Sequence, residues 1–211
     1  MGLGGDDRIQ GGLGNDTICG NDGDDMLIGG RDDDVVLGGN GVDSVSYGSI
    51  GACSGYWCVQ LDLTAGTSTS SAHGTDQIAS IENVIGSGFN DRIFGTNGRN
   101  VIQGRGGHDV IFGRSGNDHL IGGPGGDTLR GEDGNDVLDG NDSSDDLDGG
   151  AGSNLIRGWA GDDSFYPGGG NDTIKGGNGD DRIFYRSAPT GVSVDLASGT
   201  ATGWGTSTVS G

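Results

Sequence analysis

Along most of this chain one position in nine is apolar and its surroundings are not. The series runs Ile9, Ile18, Leu27, Val36 and Val45, breaks off, then resumes as Ile93, Ile102, Ile111, Leu120, Leu129, Leu138, Leu147, Ile156, Phe165, Ile174 and Ile183. Each of these residues is the middle of a three-residue stretch, preceded by six residues rich in Gly and ending in Asp or Asn. The pattern predicts a short strand with one inward side chain, then a turn. The unit repeats five times from Gly2 to Ser46 and eleven times from Gly86 to Phe184, with no insertion inside either block. A strand of three residues must reverse twice before it can stack on the next at about 4.8 Å, so two units make a coil of about eighteen residues. The predicted fold is all-β, a parallel β-roll (β-solenoid) whose successive units alternate between two sheets.

Two further positions of the nonapeptide are glycine almost throughout. The first is Gly except at Pro167, and the fourth is Gly except at Asp32, Phe89 and Ser143. Those slots need a positive φ or a close backbone approach. The sixth is Asp except at Asn100 and Asn154. Turns two units apart lie over one another in such a roll, so Asp109 stacks on Asp127, Asp127 on Asp145, and Asp118 on Asp136. The acids form columns.

Composition agrees with this reading. With 50 Gly among 211 residues and 30% hydrophobic residues, the chain cannot build an ordinary core, and it lacks the G-X-Y period of collagen. Its formal net charge of -20 argues against nucleic acid or an anionic membrane as partner and for cations. No apolar run is long enough for a membrane span, and MGLGGDDRIQ lacks the basic and apolar regions of a signal peptide. Carboxylates stacked a strand spacing apart repel one another unless they are protonated or bridged by cations. Calcium is the cation that suits them, being a hard ion that takes six to eight oxygens, where zinc prefers Cys and His. No twelve-residue loop ending in Glu lies between helical segments, so an EF-hand does not account for the acids.

The copies GGLGNDTIC, GGNGVDSVS, GGPGGDTLR and GGNGDDRIF all fit GGxGxDxUx. The chain thereby resembles the RTX (repeats-in-toxin) family, the haemolysin-type calcium-binding nonapeptide repeats. The resemblance implies a right-handed parallel β-roll holding multiple Ca2+ ions between successive turns. The ligands it implies are Asp7, Asp16, Asp25, Asp34, Asp43, Asp91, Asp109, Asp118, Asp127, Asp136, Asp145, Asp163, Asp172 and Asp181, assisted by turn carbonyls. Pairing units two apart offers three sites in the first block of five and nine in the second block of eleven. The resemblance also implies a secreted, extracellular or cell-surface bacterial protein, exported by type I secretion machinery in low calcium and folded in the millimolar calcium outside. Asp32 and Phe89 in a glycine slot, and Asn100 and Asn154 in the ligand slot, put full occupancy of those turns in doubt.

The expected organisation is a first roll block over 1–46, a β-rich connector over 47–85 with strands around Val59 to Leu63, a second block over 86–184, and the start of another connector over 185–211. The connector resembles one seen in RTX-containing proteins and recurs after Phe184, where Val192, Val194 and Leu196 match Val59, Leu61 and Leu63. The first copy has five extra residues, in the stretch that carries Cys53 and Cys58. They read as a disulfide-closed hairpin, the alternative being two unpaired thiols, with Cys19 left over. The second copy stops before the equivalent of Ile81, Glu82 and Asn83, as in a truncated piece of a longer protein. The 48-residue step from Gly38 to Gly86 is not a multiple of nine, which favours a break in register between the blocks.

The chain reads as no enzyme itself: HExxH, GxSxG and a triad are absent, and His73, His108 and His119 read as surface residues. The alternatives are an extracellular adhesion or polysaccharide-binding module, or the accessory tail of a secreted hydrolase or epimerase whose catalytic domain lies outside this chain. Arg157 with Lys175, and Phe94 with Phe112, share the outward ninth slot on adjacent coils and are the residues for a polysaccharide or protein partner, though ordinary outward scatter also explains them.

Overall fold

The computed structural model describes residues 1–49, 51 and 53–185, and the backbone of the strands Ser193–Asp195, Thr200–Thr202 and Thr206–Ser210. Among the described residues all regular structure is β, in two sheets of 12 and 11 strands. Among the described residues no helix is long and apolar enough to cross a membrane.

Each sheet is a ladder with a repeat of eighteen residues. Ile111 pairs with Leu129 and Leu129 with Leu147 in one, Leu120 with Leu138 and Leu138 with Ile156 in the other, always parallel. The eighth-slot residues from Ile93 to Phe165 are completely buried and form one apolar file along the roll, while Ile9 and Ile183 at its ends are only partly covered. Within the repeats this core takes one side chain per nonapeptide, and the connector adds Tyr47, Val59, Leu61, Ile78, Ile81 and Val84 to it.

Most of the repeat strands are longer than the three residues expected, while Ser44–Ser46, Val101–Gln103, Asp146–Asp148 and Ser164–Tyr166 have that length. Thr128–Asp133 and Val137–Asp142 run on through the first-slot glycine to the third slot, because the turns themselves stack in parallel register: Arg114 pairs with Glu132, and Asn141 with Trp159. The turn residues therefore join the ladder and satisfy backbone groups that so thin a core would otherwise leave bare.

The expected break in register between the blocks does not occur. In the 12-stranded sheet, Asn83–Ile85 enters in parallel between Ser44–Ser46 and Val101–Gln103, with Val45, Val84 and Ile102 in one file. In the other sheet the connector contributes three strands, Gly74–Ala79, Thr67–Ser70 and Val59–Asp62, paired antiparallel with one another. The first of these adds in parallel to Val35–Asn40 and the last to Asp91–Phe94. Nine-residue arithmetic fails here because the meander folds back on itself, so chain length no longer counts coils. Arg114 ties this insert to the second block through two bonds to Asp62, at 3.0 and 2.8 Å, and one to the Gly95 carbonyl at 2.8 Å. Burial raises the Asp62 carboxyl, but Arg114 and the N–H groups of Ala65 and Thr64 hold it below the usual carboxylate range.

Cys53 and Cys58 are joined by a disulfide, with Cα atoms 5.5 Å apart. It closes a loop ahead of Val59–Asp62 rather than a hairpin, and Cys19 is free. The connector motif does recur: Ser193–Asp195, Thr200–Thr202 and Thr206–Ser210 form an antiparallel meander whose last strand adds in parallel to Thr173–Asn178. The residues Val192 and Leu196 used to match the two copies lie outside the described residues. His73 is buried at 8% exposure rather than at the surface, and burial together with Arg31 lowers its pKa.

Candidate metal centre

The sixth-slot aspartates face inward from the turns and are buried: from Asp109 to Asp172 none of them exceeds 3% exposure. From Asp25 onward each uses Oδ1 to accept a backbone N–H from one coil earlier. Asp91 N–H donates to Asp109 at 2.7 Å, Asp109 to Asp127 at 2.7 Å, Asp127 to Asp145 at 2.8 Å and Asp145 to Asp163 at 2.9 Å. The second column runs Asp118 to Asp136 at 2.8 Å, then through Asn154 to Asp172, and in the first block Asp7 to Asp25 to Asp43. The eighteen-residue stacking of the acids is as the sequence predicts.

The other oxygen is left without a partner. In ten aspartates, Asp16, Asp25, Asp34, Asp43, Asp109, Asp118, Asp127, Asp136, Asp145 and Asp163, Oδ2 is buried and accepts no hydrogen bond. A buried, unsatisfied carboxylate oxygen costs several kcal/mol, and so many of them in register point to an ion.

The first-slot glycines show where that ion fits. A Cβ built on Gly113 would meet Asp118 Oδ2 at 2.5 Å and the Gly131 carbonyl oxygen at 3.0 Å; on Gly104 it would meet Asp109 Oδ2 and the Gly122 carbonyl. The same pairing recurs at Gly20, Gly122, Gly131 and Gly158. Carboxylate and carbonyl oxygens thus converge on the space a side chain would fill, which is why this slot is glycine. The fourth slot is glycine for its positive φ, which Asp32 and Ser143 also adopt at 78° and 80°. The second slot has positive φ too, which the sequence conceals because Arg105, Arg114, Glu132 and Trp159 all occupy it.

Among the described residues no three His, Cys, Asp or Glu side chains gather at one point. The donor set is one carboxylate per turn plus peptide carbonyls. Oxygen-only donors suit calcium, which accepts irregular shells rich in carbonyls. The Oδ2 atoms and facing first-slot carbonyls would hold such ions, which would supply charge neutralisation.

Three turns are finished without an orphan. Asp91 Oδ1 accepts Ser87 Oγ–H at 2.8 Å and Val59 N–H at 3.0 Å, and its Oδ2 accepts Ser87 N–H. Asn100 Oδ1 accepts the Thr96 N–H at 2.7 Å, and its Nδ2 donates to the Glu82 carbonyl at 2.6 Å. Ser87 and Thr96 occupy the second slot without positive φ. The third is Asp76 in the connector, which accepts from Asp34 N–H and the Tyr47 hydroxyl. Of the other expected ligands, Asp7 accepts the Leu3 N–H at 3.1 Å through Oδ2, and Asp181 accepts the Asp163 N–H.

Sequence reasoning missed Asp76 and Glu82, which take the place of a sixth-slot Asp beneath Asp34 and Asp43. The signal was present: each stands two residues before a buried apolar residue, Ile78 or Val84, as a sixth-slot Asp stands before an eighth-slot one.

Burial, then the charges of Asp127 and Asp91 in its column, push Asp109 up to about 8. Asp145 is likewise raised to about 8, and burial raises Asp118 and Asp127 to about 7. Folded carboxyls that hold their protons above the ordinary 3.8 stabilise the metal-free roll fully below that value, and the contribution is lost as pH rises through 7 to 8. Chelator-treated chain is therefore expected to gain sheet signal in far-UV circular dichroism as pH falls from 8 to 4. The calcium midpoint should move to higher concentration over the same interval, because protons compete for the carboxylates. A metal-free spectrum and a calcium midpoint that ignore pH would contradict this account.

No curated protein matches this chain. Among solved structures it matches the extracellular lipase LipA from Serratia marcescens at 19% identity, covering 100% of this chain and 37% of that one. The TM-score of 0.32 is too low to carry an argument. The family model described as RTX calcium-binding nonapeptide repeat (4 copies) matches residues 1–27, 20–49, 85–120, 121–156, 139–174 and 160–187. With well over half its length so matched, and with the turns built as described, the chain belongs to the RTX calcium-binding nonapeptide repeat family.

Proposed function

We propose that calcium uptake by the stacked turns drives the folding of this chain, and that its function is to become an ordered roll in the calcium-rich medium outside a bacterial cell. The ligands in this reading are the sixth-slot aspartates, acting through Oδ2, with first-slot carbonyls opposite. The observation that carries it is the register of ten buried, unpartnered carboxylate oxygens, which a metal-free chain must either protonate or expose. One buried aliphatic residue per nine returns little against the ordering of nine residues, so the balance turns on the ions. In low calcium the chain stays extended enough for export by type I machinery; in millimolar calcium it folds. The organisation into blocks 1–46 and 86–184 with connectors at 47–85 and 185–211 belongs to the same proposal, as does the absence of catalysis from this chain.

The test is far-UV circular dichroism with parallel calorimetry as calcium is added to chelator-stripped chain. A coil spectrum turning cooperatively into a sheet spectrum, with several ions bound near millimolar calcium, is expected. A sheet spectrum unaffected by chelator would overturn the folding switch and leave the repeats as a permanent spacer.

A second reading, an adhesion module for an anionic polysaccharide or protein, draws on one patch. Phe94 and Phe112 stack at 4.7 Å, with Arg92 over Phe94 and Arg130 over Phe112 at 5.0 and 5.4 Å. Arg92 and Arg130 are exposed on a chain that is otherwise acidic. The Arg157 and Lys175 pair favours it less, since Arg157 is paired with Asp139.

A further inference from the structure

The connector lacks the nonapeptide pattern, yet one column of turns passes through it without a gap. In an ordinary turn two features recur. Asp25 N–H donates to Asp43 Oδ1 at 2.9 Å, and Gly20 faces Asp25 Oδ2 together with the Gly38 carbonyl at 2.6 Å from an added Cβ. One coil further on, the connector supplies both. Asp43 N–H donates to Glu82 Oε2 at 2.8 Å, and Gly38 faces Asp43 Oδ2 together with the Ser80 carbonyl. Val84 then takes the eighth-slot place between Val45 and Ile102.

Ser80 thus stands for a first-slot glycine and Glu82 for a sixth-slot aspartate, in a turn shortened by three residues. Ser80 holds a φ of 55°, which gives the shortened turn its reversal. Glutamate is one methylene longer than aspartate, which offsets the shorter backbone path.

A second observation is independent of this likeness. Asp43 is completely buried and its Oδ2 has no partner. In the other column Asp34, whose Oδ2 is likewise buried and unpartnered, donates its N–H to Asp76, and Asp76 in turn accepts the Tyr47 hydroxyl at 3.1 Å through Oδ2.

We propose that Asp43, Glu82 and the Ser80 carbonyl form a calcium site built half by the first block and half by the connector, and that its ion couples folding of residues 1–46 to the rest of the roll. Two carboxylates and a peptide oxygen are hard donors whose charge matches a divalent ion. Past this site the column continues through neutral groups, with the Glu82 carbonyl accepting Asn100 Nδ2 at 2.6 Å and Asn83 Oδ1 accepting Val101 N–H at 2.8 Å. The ion at Asp43 is therefore the last one by which this column can pull the first block onto the connector. The proposal rests on reading the orphaned carboxylates as calcium ligands.

Hydrogen exchange read by mass spectrometry on the whole chain, at stepped calcium, tests it. In the wild type, peptides from 1–46 and from 104–184 are expected to become protected at one shared calcium midpoint. Glu82→Gln keeps an acceptor for the Asp43 N–H but removes the charge. It should move the first-block midpoint several-fold to higher calcium, leave that of 104–184 in place, and lower the calorimetric stoichiometry by one ion. Unchanged first-block midpoint and stoichiometry in Glu82→Gln overturn the site. So does a shift seen in Glu82→Ala alone, which would make Glu82 a hydrogen-bonding cap. Wild-type chain with no calcium response in either block would overturn the parent reading, and the behaviour of 104–184 tells the two failures apart.

Discussion

Gly122→Ala is expected to remove calcium binding at its own turn and to raise the calcium concentration needed to fold the second block, although it adds a single methyl group. That methyl would overlap Asp127 Oδ2 and lie 2.9 Å from both Asp127 Cγ and the Gly140 carbonyl oxygen, in the space where the oxygen donors converge. Both a backbone and a buried carboxylate would have to move. Overpacking of this kind costs about 1 to 3 kcal/mol, before the lost ion is counted. Gly106→Ala is the control, since a Cβ there meets nothing nearer than 3.8 Å and its φ is not positive. Calcium titrations followed by circular dichroism should leave Gly106→Ala at the wild-type midpoint and move Gly122→Ala well to the right. Equal midpoints for the two variants would mean that the first-slot space does not hold the ion.

Phe165→Ala should produce the largest loss of stability in the calcium-saturated roll. Phe165 is the bulkiest of the wholly buried side chains in the inner file, paired with Leu147 on one side and Ile183 on the other. Truncating a buried Phe costs about 3 to 5 kcal/mol through lost transfer energy and the cavity left behind. Coils of a solenoid touch only their neighbours, so the damage should open the roll from Phe165 toward its C-terminal end. Ile9→Ala, at a partly exposed end of the same file, should cost about 1 kcal/mol or less. Urea unfolding in excess calcium compares them. Similar losses for both variants would show that the file is not the core of the roll.

The roll was legible because its rules are local and repeat. An apolar residue every nine positions, glycine in slots one and four, and Asp in slot six specify a coil, and the stacking of Asp109, Asp127 and Asp145 follows from counting. The connector was not legible by counting, since its three antiparallel strands keep the two sheets in register by folding back rather than by length. Of its ligand-column residues, Glu82 was hidden because no glycine precedes it at the repeat's spacing, while Asp76 follows Gly74 in a GxDxU frame that lacks only the first-slot glycine, replaced by Ser71. His73 was misplaced for a related reason: nothing in the repeat indicates which connector residues face inward.

What the sequence by itself determined is the periodic part: the two-sheet coil, the single-file core, the acid columns and the class of ion they take. Strict periodicity makes each unit's environment a copy of its neighbour's, so one nonapeptide predicts the rest. Tertiary structure alone decided where the periodic argument stops holding. It showed that the two blocks join in one register, that the first-slot glycine faces the carboxylate, and that Ser87, Thr96 and Tyr47 satisfy turns that would otherwise call for an ion. Those outcomes depend on which groups meet across a coil or a connector, and such meetings are set by packing in three dimensions rather than by spacing along the chain.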